Sequence, residues 1–194
     1  MRFLLTILLL PVLTACLSPQ AGPRINVEQD LFASRHWNLA VMDLDYTPIE
    51  GQHKDMLVTA VSAGPNAGKA IASLLANEFS RLSNIAVIER GQMEKLLQEQ
   101  KLQMSGVSSE SSAVEIGEII GADAVVVGEV SDYSSWSSLI GNGSTVSFSA
   151  RMIDVKTGKL IASGSISKIE HMMLAFQNAQ NLAAQLVEQI AGNE

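Results

Sequence analysis

The chain has one cysteine in 194 residues, so no disulfide can close within it. Aromatic residues are scarce, and no cluster of lysine and arginine offsets a formal net charge of −7. Nucleic-acid binding, which needs basic side chains gathered to neutralise phosphates, is therefore not expected. No apolar run reaches the ~20 residues of a membrane-spanning helix. The histidines His36, His53 and His171 are scattered, with no companion cysteine and no H-x-x-x-H spacing, so neither a metal nor a cofactor is expected. No G-x-S-x-G elbow offers a serine nucleophile. Residues 64–70 (GPNAGKA) fall short of a phosphate-binding loop: three residues separate the glycines, and Ala70 stands where a Ser or Thr would hold magnesium. Carboxylate pairs occur at Asp43 with Asp45 and at Asp123 with Glu129; the first could share a face but reads as a solvated strand end. These absences describe a protein that binds rather than reacts, and no enzyme is expected.

What is present begins at the N-terminus. Arg2 precedes an apolar stretch at residues 3–13 (FLLTILLLPVL), too short to span a bilayer and interrupted by Pro11. Leu13-Thr14-Ala15-Cys16 follows, with a small residue just before the cysteine. The whole reads as a cleaved signal peptide, and its end resembles the lipobox of bacterial lipoproteins. That resemblance implies that Cys16 carries a diacylglyceryl group and becomes the new N-terminus. Acylation also accounts for a lone thiol in an oxidising compartment. Leu17, rather than an aspartate, follows the cysteine, which by the same resemblance favours the outer membrane and a domain facing the periplasm. The expected division is a signal peptide at 1–15, a lipidated Cys16 with a flexible tether at 16–35, and one domain at 36–194. Ser18, Pro19, Gly22 and Pro23 break any regular pattern in the tether. Fully extended to residue 34, it would reach roughly 50–60 Å.

In the domain, residues 37–44 suit a buried strand and 45–56 a loop. A helix opening at or just after Asn66 carries Ile71, Leu74, Leu75, Phe79 and Leu82 on one face. A strand at 84–89 leads to a helix at 92–103 with Met93, Leu96, Leu97 and Leu102 inward. After a serine-rich loop, Ser112 can cap a short helix, with Glu115 at capping-box spacing and Gly121 ending it. Residues 122–130 are apolar on both faces and read as a central strand. In the next strand, 146–155, Val146, Phe148, Ala150 and Met152 alternate with polar residues. A tight turn at 156–159 returns the chain as a strand at 160–169. The last helix is expected at about 171–190, with Met173, Phe176, Leu182, Leu186 and Ile190 toward the core. The order β-α-β-α-α-β-β-β-α predicts an α/β (α+β) domain: a mixed sheet of about five strands with helices packed on it.

Four stretches carry a resemblance: 38–44 (NLAVMDL), 86–100 (AVIERGQMEKLLQEQ), 121–130 (GADAVVVGEV) and 151–160 (RMIDVKTGKL). In this order they resemble the CsgG family of curli assembly and transport lipoproteins, whose relatives include LpoB-type activators of penicillin-binding proteins. The resemblance implies a CsgG-like periplasmic domain. The curli channel resembles a ring of subunits that each add two hairpins to a membrane barrel. At about 9–11 residues per membrane strand, two hairpins need on the order of 40 extra residues. Here only 131–144 is free between the third and fourth strands, and Ile169 runs almost directly into the last helix. A full channel is not expected. Trp136, Leu139 and Ile140, in the one short hairpin available, are the candidate oligomer or membrane contacts. The expected function is that of a membrane-anchored accessory, acting by protein–protein contact in a secretion, surface-structure or cell-wall machine. The alternative is a subunit of a homo-oligomeric, curli-type export complex.

Overall fold

A computed structural model describes residues 23–48, 58–64, 66–104, 106–107, 109–139 and 141–192. The sequence-derived signal peptide, Cys16 and residues 17–22 of the tether lie outside the described residues.

The sheet is assembled around one long hairpin. Strand β6 (Ala124–Ser138) and strand β7 (Gly141–Asp154) pair antiparallel over their whole length, and β8 (Leu160–His171) adds to the far side of β7. On the other side of β6 lie β2 (Trp37–Val41) and then β5 (Ile85–Val87), both parallel to it in sense. Farther along β6, the two-residue β3 (Asp45–Tyr46) pairs parallel and β4 (Val58–Ala63) antiparallel. Strand β1 (Arg24–Val27) closes the opposite edge against β8, giving the order β1-β8-β7-β6-β2-β5 in a mixed eight-stranded sheet.

Helices cover both faces. Helices α1 (Gln29–Ala33), α2 (Ala67–Phe79) and α5 (Ala175–Ile190) pack over a core that includes Trp37, Leu39, Val126, Phe148 and Met152. On the other face, α3 (Arg90–Glu99) and α4 (Glu110–Ile120) bury Met42, Val125, Val127, Ile153 and Val155. Val125 and Val127 thus face one layer while Ala124 and Val126 face the other, which is why β6 reads as apolar on both sides. The mixed α/β class expected from the sequence is the one observed, and all five expected strands are present.

Several boundaries differ, each for a local reason. Residues 24–33, expected to belong to the tether, form β1 and α1. Ile25 and Val27 pack against the core and Phe32 is buried in it, while the Phe32 carbonyl accepts hydrogen bonds from Trp37 Nε1 and Asn84 Nδ2. Residues 24–33 therefore belong to the folded domain. The cap of α4 is Ser109 rather than Ser112: its hydroxyl accepts from the Ser112 N–H at 3.1 Å. Gly121 does end this helix, at φ +76°, in the left-handed region glycine enters freely. Helix α3 starts at Arg90, because the Glu89 carboxylate caps it by accepting the Gln92 N–H. Helix α5 starts at Ala175, not near His171, because β8 keeps pairing with β7 as far as His171 opposite Gly143. Phe176, expected in the core, is therefore exposed, and Met173 only half-buried.

Candidate functional site

Of the polar candidates, Asp43, Asp45, Asp123 and Lys69 bind segments of the fold to one another. Asp43, just past β2, takes both oxygens to Arg90 Nη2 at 2.6 and 2.8 Å, and Arg90 Nε donates to Glu94 at 2.9 Å. The network pins the first residue of α3 to the end of β2. Asp45 instead accepts the Gly106 N–H at 2.8 Å, so the pair Asp43 and Asp45 is split between two structural tasks. Asp123 accepts the Asn38 N–H, and Glu129 is exposed some distance along β6. Lys69, from the loop that resembled a phosphate cradle, reaches Glu94 at 3.7 Å.

Asp154, at the end of β7, is buried. It receives Arg35 at 2.7 Å and the Thr157 N–H at 2.8 Å, which fastens the turn to the sheet, while the Arg35 guanidinium lies 3.9 Å over the Trp37 ring. Burial raises the Tyr133 hydroxyl pKa, and burial together with the Asp132 charge raises that of Tyr46, so both phenols stay neutral at ordinary pH. Among the described residues, no group of three or more His, Cys, Asp or Glu side chains is placed to hold a metal. A groove of about 300 Å³ between α2, α3 and β5 is lined by the apolar Val41, Ala72, Ala76, Val87, Ile88 and Met93 together with polar side chains. Two of these, Glu89 and Arg90, are engaged in the cap of α3 and the pair with Asp43.

Open surface, rather than a reactive cluster, is what remains, and it takes two forms. Beyond Ile153, the described helices leave the second face of β7, β8 and β1, the side of α3 and α4, open. Ser147, Ser149, Ser163, Ser165 and Ser167 share it with Arg24, Asn26 and Arg151, around a shallow depression of about 380 Å³. The second form lies at the end of the sheet where β6 turns into β7. Leu139 in that turn is 83% exposed, Met172 90%, Leu174 65% and Phe176 52%. The register brings them together: Gly143 pairs with His171, the Met172 N–H donates to the Asn142 carbonyl, and the Ala175 N–H donates to the Ser135 hydroxyl.

Of the contact residues expected from the sequence, Leu139 is on this surface and Ile140 lies outside the described residues. Trp136 is only 4% exposed. Its ring meets the His171 ring edge-on at 5.5 Å, and Gly143 sits against it where a Cβ would come within 2.7 Å of the indole. Trp136 supports the surface from beneath rather than forming it. Met172, Leu174 and Phe176 were missed because residues 171–176 continue the apolar spacing of the last helix, and that spacing reads as core.

A family model described as "Curli production assembly/transport component CsgG" matches residues 33–174. A search of curated proteins found no match. Among solved structures, the chain is similar to the PelC dodecamer from Paraburkholderia phytofirmans, with 16% identity, 88% of this chain and 96% of that one covered, and a TM-score of 0.58. It is also similar to lipoprotein GNA1162 from Neisseria meningitidis, with 20% identity, coverage of 80% and 98%, and a TM-score of 0.57. At these identities the likeness is one of fold.

Proposed function

The chain belongs to the CsgG family, and we propose that it is a lipid-anchored protein of the bacterial envelope that faces the periplasm and acts by protein–protein contact. In this reading it is an accessory of a secretion, surface-structure or cell-wall machine, held by Cys16 most simply to the outer membrane. The observation that carries the reading is the division of labour among the side chains. The carboxylates and arginines that could have done chemistry bind the elements to one another, while a bare sheet face and an apolar end stay open. Surfaces of that kind suit association with a partner rather than turnover of a substrate. The sequence LTAC at 13–16 supports the anchor, and the solved lipoprotein GNA1162 shares the fold.

The anchor is tested by Cys16→Ala. The unaltered protein is expected in the membrane fraction after salt and carbonate washing, with an acyl mass on Cys16. The variant is expected to leave the membrane with its circular dichroism and melting profile unchanged. Retention of Cys16→Ala in the washed membranes would show the anchor account to be wrong.

A second reading, a subunit of an oligomeric export complex, is favoured by the likeness to the PelC dodecamer. It is also favoured by the sheet itself, whose two edges, β1 and β5, differ and could meet head to tail between copies.

A further inference from the structure

The two outer strands of the sheet are built differently. Strand β1 carries the exposed Arg24, and a charge on an edge strand discourages further pairing. Strand β5, Ile85-Ala86-Val87, carries neither a charge nor a proline. Its main-chain groups alternate in direction. The Asn84 carbonyl accepts from the Trp37 N–H and the Ile88 N–H donates to the Leu39 carbonyl, so the groups of the even-numbered residues turn toward β2. Those of Ile85 and Val87 therefore turn outward. The Leu82 carbonyl accepts the Ile85 N–H at 3.2 Å. The Ile85 carbonyl and both main-chain groups of Val87 have no hydrogen-bond partner among the described residues.

The groove of about 300 Å³ lies beside this edge. Ser73 and Ala76 of α2 line one side of it, Met93 of α3 the other, and Val87 and Ile88 the strand between them. Helix α2 packs on one face of the sheet and α3 on the opposite face, so the groove straddles the edge where a further strand would lie. The charges at its mouth are unevenly matched. Arg90 pairs with Asp43 and Glu94, and Lys69 with Glu94. Glu89 is exposed, lines the groove, and caps α3 through the Gln92 N–H, without a basic side chain paired to it among the described residues.

We propose that β5 and the groove beside it take up an extended segment of a protein partner as an added strand. One apolar side chain of that segment enters the groove, and a lysine or arginine lies against Glu89. The proposal rests on the protein-contact reading above and names the chemistry of one contact. The outward main-chain groups supply hydrogen bonds that any extended peptide can use, while the groove and Glu89 choose among sequences. A small apolar ligand would leave both the main-chain groups and Glu89 unused.

The test uses the lipidated protein in mild detergent. A phage-displayed library of random heptapeptides is selected on it and, in parallel, on Val87→Pro. Proline there removes the outward donor and keeps the Ile88 bond to β2, a substitution an edge strand tolerates. Ser73→Trp fills the groove from an exposed position on α2. Both variants are first checked for an unchanged melting profile. Peptides enriched on the native protein should alternate apolar with polar residues and carry a lysine or arginine. A fluorescein-labelled selected peptide, followed by anisotropy, should bind each variant about ten-fold more weakly, and should weaken likewise when its basic residue is replaced by glutamate. Peptides that enrich equally on Val87→Pro, or that bind Ser73→Trp unchanged, overturn the proposal. So does a selection that enriches nothing. A larger mass of the native protein that falls to the monomer in Val87→Pro assigns the edge to a second copy and overturns it too. Each of these outcomes leaves the anchor reading standing, because that is decided separately by the acyl mass on Cys16 and by fractionation of Cys16→Ala.

Discussion

Asp154 shows how one buried carboxylate can organise several elements. It ties Arg35, between α1 and β2, to the β7–β8 turn, where Thr157, Gly158 and Lys159 all hydrogen-bond to it. Asp154→Ala removes two charge-assisted hydrogen bonds. Arg35 is 38% exposed, so it can recover water and does not remain as a buried charge. The expected loss is about 1.5–3 kcal/mol of stability, read from the urea midpoint at unchanged slope. A loss below about 0.5 kcal/mol would mean that the turn holds without its anchor. The block at 151–160 was legible as a turn because Thr157-Gly158 demands one, and Gly158 does sit at φ +68°. Nothing in the sequence pointed to Arg35 as the partner, which stands 119 residues away.

At the scale of elements, the apparent phosphate loop resolves into packing. A Cβ on Gly68 would lie 1.7 Å from the Leu44 carbonyl oxygen, so the first turn of α2 presses directly on the chain leaving β2. Gly68→Ala must push the helix or that strand end aside, at about 1–3 kcal/mol, seen as a lowered melting temperature. Unchanged melting would show that α2 shifts freely. Gly68 in this stretch, which the sequence already set apart from a phosphate-binding loop, thus serves a close approach between two protein segments. The helices α2, α3, α4 and α5 were legible in their type, since their periodicity is local. Not every inward residue was: Met93 and Leu97 of α3 are buried, whereas Leu96, Leu102 and Phe176, also expected inward, are exposed. The first residues of these helices were less legible, because Glu89 and Ser109 compete with neighbouring residues for the same caps.

For the whole molecule, the question is how many copies act together. An accessory that works through its own bare face should leave mild detergent as a monomer or dimer, and light scattering on the lipidated protein measures that mass directly. We expect the smaller species. A single closed-ring mass would instead favour the export-complex reading and make the β1 and β5 edges the surfaces to alter. Distinct, unpaired edges can build a ring only if the rotation between copies closes. Nothing in one subunit's core dictates that rotation, so the mass has to be measured.

Five strands, four helices and the mixed α/β class followed from patterns within single segments: alternation at 146–152, a doubly apolar run at 124–127, helical stripes, and the stops at Gly121 and Gly158. Such patterns survive in sequence because each is enforced by burial of its own residues. Strands β1, β3 and β4 did not follow: each is an added strand set by its pairing with β8 or β6. The fate of Trp136 was hidden for the same reason: Gly143 and His171, which enclose it, arrive from β7 and β8. The apolar end of the sheet joins residue 139 to residues 172–176 only through the register of three strands. Local chemistry wrote the elements, and pairing over long sequence separations decided which apolar side chains were left for a partner or a membrane.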